Sequence, residues 1–227
     1  MMQPEDFWQQ IDPPGPEIAG PFHDSYSAAF DGGRISLPIR VLADGRHALA
    51  SLIINQASFA VQDALARVLA ERISGFAIDV VVGLPTLGLT LASAVARQLG
   101  HSRYVPLGTS RKFWYRDEFS VDMSSITTSD RKRLFIDPRL LPLIEGKRVA
   151  LVDDVISSGT SIAAGLELMT LCGVEPVVIG AAMLQSERWR QRLGALDRKW
   201  TERVVGVLAT PLLEPADGGG WQRPASS

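Results

Sequence analysis

The sequence predicts an α/β fold: a parallel sheet flanked by helices, with a small hood formed by an N-terminal hairpin and a C-terminal strand. Three observations carry this expectation. Between residues 78 and 184, short apolar runs alternate with segments whose apolar residues recur at helical spacing. Those runs are apolar throughout, the pattern of parallel strands covered on both faces. A hairpin-like segment with a glycine turn precedes the series and stands outside it.

Taken in order, residues 1–22 carry Pro4, Pro13, Pro14, Pro16 and Pro21 and read as an irregular arm. Tyr26–Phe30 and Arg34–Leu42 are expected strands around Asp31-Gly32-Gly33, a glycine pair that favours a tight turn. Asp44-Gly45 makes a second turn before HALASLIIN (47–55), another strand. Phe59, Ala60, Ala64, Val68 and Leu69 then fall at helical spacing, with Gly75 closing the helix. IDVVVGL (78–84) is a buried-type strand, and Leu91, Ala92, Val95, Ala96 and Leu99 mark the helix after it, closed by Gly100. RYVPLG (103–108) is the next strand, whereas residues 110–131 show no sustained period. RVALV (148–152), a helix over Ile162–Leu171 and EPVVIGAAML (175–184) complete the series. Arg203–Leu208 is a last strand assigned to the hood, and 214–227 a flexible Gly/Pro-rich tail. The expected organisation is one domain over 23–213, with its hood from about 23–54 plus 203–213 and its core at 55–202.

At 227 residues, 46% hydrophobic and 21% charged, the composition is that of an ordinary globular chain. A net charge of −2 provides no basic field for nucleic acid or anionic membrane. No apolar stretch approaches the roughly 20 residues that span a bilayer. The acidic, proline-rich start has no signal-peptide core, so a cytoplasmic location is expected. Cys172 is the single cysteine, which rules out an internal disulfide and reads as a structural thiol. His23, His47 and His101 have no partners at metal-ligand spacing.

Chemistry concentrates in VALVDDVISSGTS (149–161). Two adjacent acids stand where an apolar strand is expected to end, and a hydroxyl- and glycine-rich turn leads into a helix. Sheets of this kind bind ligands at the carboxyl ends of their strands. Unpaired N–H groups at the helix start suit a phosphate, aided by the hydroxyls of Ser158, Thr160 and Ser161. Gly159 lets the backbone approach closely. Asp153 and Asp154, set further back, are placed to accept hydrogen bonds from vicinal sugar hydroxyls. The stretch reads as a sugar 5-phosphate site; the plainer alternative is an N-cap cluster with solvated acids. Gly-Lys-Ser/Thr and Gly-x-Gly-x-x-Gly motifs are both absent.

This stretch resembles the phosphoribosyl-pyrophosphate (PRPP) signature of the type I phosphoribosyltransferases. The resemblance continues upstream, where VVVGLPTLGLTLASAVA (80–96) is similar to the family's pyrophosphate turn and helix. Leu84, Pro85, Thr86, Leu87 and Gly88 form that turn, without the basic residue several members carry, so contact would fall to backbone N–H groups and Thr86. Ser110-Arg111-Lys112 resembles the cationic pair before the family's mobile catalytic loop, and residues 113–130 take that loop's place as a lid. Trp114 and Tyr115 either stack on a base or pack beneath the loop.

The resemblance implies a Rossmann-like type I phosphoribosyltransferase fold and a Mg²⁺-dependent displacement at C1 of PRPP by a nucleobase. It implies catalytic roles for Asp153, Asp154, Arg111 and Lys112, and PRPP binding by Asp153, Asp154, Val155, Ser157, Ser158, Gly159, Thr160 and Ser161. Mg²⁺ would be held mainly by substrate, with Asp153 and Asp154 as its protein contacts, in a homodimer. Ser157 stands where the 6-oxopurine enzymes commonly carry an aspartate, which points away from hypoxanthine and guanine. A purine such as adenine is the expected acceptor; an orotate enzyme or a non-catalytic regulator of the same fold are the alternatives.

Overall fold

A computed structural model describes residues 3–123 and 132–225. Its first sheet begins with the hairpin of β1 (Ser25–Phe30) and β2 (Gly33–Val41), in register from Ser25↔Pro38 to Phe30↔Gly33. Gly32 turns it at φ 124°, a conformation that side chains disfavour. β3 (Ala48–Ala50) adds to β2, shorter than the expected strand because a 3-10 turn follows at Ile54–Gln56.

α1 (Phe59–Ile73) starts at Ser58, whose hydroxyl accepts from the Val61 N–H at 3.3 Å. It ends before Gly75, which lies within a 3-10 turn, and the left-handed residue is Ala77. β4 (Val80–Gly83), α2 (Gly88–Gln98) and β5 (Val105–Pro106) follow. A two-stranded arm, β6 (Ser120–Asp122) with β7 (Arg133–Phe135), occupies part of the aperiodic stretch. Of the segment expected to act as a lid, residues 124–130 lie outside the described residues. Then come β8 (Val149–Ile156), α3 (Thr160–Leu171), β9 (Val178–Gln185), α4 (Arg188–Leu196), α5 (Arg198–Glu202), β10 (Val204–Thr210), β11 (Leu212–Pro215) and β12 (Trp221–Gln222).

The core sheet runs β10-β9-β8-β4-β5, with every pairing parallel. Leu65 and Leu69 of α1 and Leu91 and Val95 of α2 pack with Val81 and Val152 in one apolar layer. Ile162, Leu166 and Met169 of α3 pack with Val82 and Leu151 in the other. The α/β fold with parallel sheet and hood is therefore the one expected from sequence, but its last strand changes place. β10 pairs parallel with β9, Val204 opposite Ile179, and so belongs to the core. The hood runs β1-β2-β3-β11-β12, its C-terminal share coming from β11, which pairs Leu212 with Leu49, and from β12. The stretch read as a flexible tail thus supplies a strand, and Trp221 also bridges to Phe22.

The N-terminal arm is docked against the domain. Trp8 is 2% exposed, donates from Nε1 to the Ser51 carbonyl at 2.9 Å, and accepts from the Ser58 N–H at 2.9 Å. Asp12 bridges to Arg34. Trp8→Ala should therefore destabilise the domain by about 3–5 kcal/mol, read as a lower urea midpoint. A midpoint unchanged within error would show that the arm contributes no packing.

Candidate functional site

Topology selects a site before chemistry does. From β4 the chain moves outward through α2 to β5, and from β8 it moves outward the other way through α3 to β9 and β10. The direction of winding reverses between β4 and β8. In open sheets of this type, ligands occupy the crevice at such a switch point, outside the carboxyl ends of the strands.

The crevice opens because its two strands end at different heights. β4 stops at Gly83, opposite Val152, and the Leu84 N–H still reaches the Val152 carbonyl at 2.9 Å. β8 was expected to stop at Val152, but it continues to Ile156 with β9 as its partner. From Asp153 onward its β4-side edge has left the sheet's ladder. The acid pair therefore sits in a strand paired with β9 on one flank and covered by the turn after β4 on the other, and both aspartates are buried, at 6% and 8% exposure.

The turn after β4 closes over this pair. Leu84 is fully buried, Pro85 and Leu87 are half-buried, Thr86 is exposed, and the Pro85–Thr86 peptide is cis. Gly88, the first residue of α2, lies directly against the acids. A Cβ built there would stand 2.6 Å from Asp153 Oδ1, 2.8 Å from Asp153 Cα and 3.3 Å from Asp154 N. Only a glycine lets the 84–88 turn and the 153–154 pair come so close.

Burial, reinforced by the neighbouring Asp154 charge, holds the Asp153 carboxyl well above the ordinary aspartate range. Burial also raises Asp154, against the lowering effect of hydrogen bonds from Asp153 and the Val155 N–H. Within the pair the Asp154 N–H donates to Asp153 Oδ1 at 3.0 Å. Among the described residues no group of three or more His, Cys, Asp or Glu side chains forms a metal cage. Two adjacent buried carboxylates fit a hard divalent ion that keeps waters and takes its other ligands from a bound phosphate compound.

Beyond the acids, Asp153, Val155 and residues 156–162 line a hollow of about 90 Å³. Gly159 turns the backbone at φ 77° immediately before α3. The Ser158 and Thr160 hydroxyls are 3.0 Å apart, and Ser157 and Ser161 complete the rim. A larger, mainly apolar hollow of about 480 Å³ lies against α3, lined by Leu166, Leu171, Leu196 and Trp200. Size favours it, but the switch point and the acid pair favour the smaller one.

Not every expected residue arrives at this crevice. Arg111 and Lys112 are exposed beyond β5; Arg111 pairs with Asp117 at 3.4 Å, and neither side chain contacts the acids. Trp114 packs rather than stacks freely: its Nε1 donates to Asp137 at 3.1 Å, and the Arg139 guanidinium lies 4.7 Å from its ring centroid. Tyr115 lies against Phe135 at 6.0 Å. Burial pushes the Cys172 thiol up to about 11, as suits a structural cysteine. Conversely, Arg188 had not been anticipated, yet it donates to Ser157 Oγ at 3.1 Å. It follows the carboxyl end of β9, so the strand-end rule that singled out Asp153 could have found it.

An open parallel sheet carries an acid pair and a hydroxyl-rich turn at its switch point, where α/β folds of this class bind their ligands. The chain belongs to the phosphoribosyl transferase domain family, which matches residues 52–206. It is 32% identical over 137 residues to an orotate phosphoribosyltransferase of Halorhodospira halophila, covering 60% of this chain and 55% of that protein. It is 38% identical over 86 residues to the bifunctional protein PyrR of Pseudomonas aeruginosa, covering 37% of this chain and 45% of that one. These matches thus span about half the length of each relative. The fold is similar to adenine phosphoribosyltransferase from Giardia lamblia complexed with 9-deazaadenine, with a TM-score of 0.55 and 22% identity over 66% of this chain and 80% of that one. No helix among the described residues is long and apolar enough to cross a membrane.

Proposed function

We propose that the protein transfers the 5-phosphoribosyl group of PRPP to a nitrogenous base and releases pyrophosphate. The observation that carries this reading is the contact of Gly88 with Asp153, because it joins the turn after β4 to the acid pair and the hydroxyl turn in one crevice. In the proposed reaction the C1–O bond to the diphosphate breaks, the leaving group takes the electron pair, and a ring nitrogen of the base forms the new bond to C1 as its N–H proton passes to water. Positive charge develops on the ribose as the bond breaks. Asp153 and Asp154 hold the ribose hydroxyls and favour that charge. Residues 157–161 anchor the 5-phosphate through N–H groups and hydroxyls, while the 84–88 turn faces the diphosphate. Asp153 and Asp154 are the residues that would hold Mg²⁺, which supplies charge neutralisation for the departing diphosphate.

The proposed acceptor is a purine of the adenine type. Ser157 is a neutral hydroxyl at pH 7 where the resemblance places the aspartate that serves a 6-oxopurine, so that acidic partner is missing here. The relative named for orotate supports a pyrimidine as the second reading. The test is pyrophosphate release from PRPP and Mg²⁺ with adenine, orotate, hypoxanthine and guanine in parallel. Adenine should outpace hypoxanthine and guanine by ~10-fold or more, the scale of one unmade buried hydrogen bond. Turnover of orotate alone would move the acceptor to a pyrimidine, and PRPP binding without release for any base would make the protein a binder.

A further inference from the structure

The hydroxyl turn at 157–161 contains no cation, although a phosphate there would carry nearly two negative charges. The nearest candidate comes from another element. Arg188, the first residue of α4, donates from its guanidinium to Ser157 Oγ at 3.1 Å and to Ser186 Oγ at 3.3 Å. Both partners are neutral hydroxyls, and no carboxylate among the described residues pairs with it, so its positive charge is uncompensated at the mouth of the turn.

Two features show that this placement is built in. Ser186 is a non-glycine residue at φ 61°, a conformation costing on the order of 1 kcal/mol or more. It is buried, and its N–H donates to the Thr210 carbonyl at 2.7 Å, so the strained turn is held by the sheet. That turn sends the chain from β9 directly into α4. The start of α4 is in turn pressed onto the phosphate turn: a Cβ on Gly159 would stand 3.3 Å from both Cα and Cβ of Trp189. Gly159 is thus required by its φ and by its neighbour, and the residue before Trp189 is carried to Ser157.

We propose that Arg188 is the cation of the 5-phosphate site, a role that rests on the phosphoribosyl transfer proposed above. By donating to Ser157 Oγ, it leaves the hydroxyl hydrogen of Ser157 to be given onward to a phosphate oxygen. Arg188 itself lines the adjoining hollow beside Ser158, so it acts on the phosphate through the charge-assisted bond to Ser157 and through its charge.

The test is calorimetric binding of ribose 5-phosphate, PRPP with Mg²⁺, and inorganic pyrophosphate at fixed ionic strength. Arg188→Ala should weaken ribose 5-phosphate and PRPP by the same factor, roughly tenfold for one lost charge-assisted contact, and leave pyrophosphate within twofold. Arg188→Lys should recover part of the loss. Arg198→Ala removes the same charge from an exposed position paired with Glu202 and should have no effect. Unchanged ribose 5-phosphate affinity in Arg188→Ala, beside firm wild-type binding, would overturn the role of Arg188 alone. Equal losses in Arg188→Ala and Arg198→Ala would overturn it as well, because a general field would then explain the effect. If wild-type protein binds neither ribose 5-phosphate nor PRPP, the phosphoribosyl reading falls and this role falls with it.

Discussion

Asp153→Asn is expected to lower pyrophosphate release by ~100-fold or more, the cost of losing one preorganised charge at a reacting centre, while making the ligand-free protein more stable. The two effects share one cause. Asp153 is buried beside a second carboxyl, and both are held above the ordinary aspartate range. A folded-state value above the unfolded one means that the folded protein keeps protons which the unfolded chain has released. The stability this contributes is complete below the unfolded aspartate value of roughly 3.9 and is lost as pH rises through the folded values. Near neutrality the ligand-free protein therefore carries the cost of a buried like-charge pair. Asparagine keeps the acceptor for the Asp154 N–H and removes the charge. Its melting temperature should rise by roughly 2–4 °C for each kcal/mol recovered, and the decline in stability above pH 4 should flatten. A variant that is both less stable and fully active would contradict the assignment on both counts. Asp154→Asn should act in the same direction, with a smaller gain in stability because hydrogen bonds already offset part of the cost.

Gly88→Ala is the second large effect, and here local and tertiary arguments predict opposite signs. Helix propensity alone favours alanine over glycine by about 1 kcal/mol inside a helix. Gly88 opens α2 without a positive φ, so alanine meets no backbone obstacle there. The obstacle is space: the new methyl would meet a carboxylate oxygen at 2.6 Å and a backbone carbon at 2.8 Å. Either the 84–88 turn or β8 must shift, at about 1–3 kcal/mol for overpacking. A displacement near 1 Å between two halves of one site should also reduce turnover ~100-fold. Thermal melting and pyrophosphate release together decide the matter. A more stable variant with normal turnover would show that the turn and the acid pair do not act as a unit.

The parts of the site that were legible are those written in contiguous residues. Asp153, Asp154 and Ser157–Ser161 share one strand-turn-helix segment, so their order alone carries the geometry from β8 into α3. The apolar runs of β4, β8 and β9 were legible for a similar reason, since strands covered on both faces show no polar alternation. Placement of the final strand was not. A short apolar strand at 204–210 satisfies a hood and a core sheet equally well until its parallel register with β9 is seen. The helices α4 and α5 were missed because RWRQRLGAL and RKWTE bury little beyond Trp189, Leu193 and Trp200, leaving too few apolar positions to show a period.

By itself, then, the amino-acid sequence determined the α/β class, the acid pair and the hydroxyl turn, because these depend on hydrophobic period and on neighbours a few residues apart. Three things awaited the tertiary structure: the crevice left where β4 ends and β8 continues, the fit of Gly88 against Asp153, and the reach of Arg188 to Ser157. Each joins segments distant in the chain. Their distances follow from strand register and helix packing, which no local pattern encodes, and a shift of one residue in the register of β8 would carry the Asp153 side chain to the opposite face of the sheet.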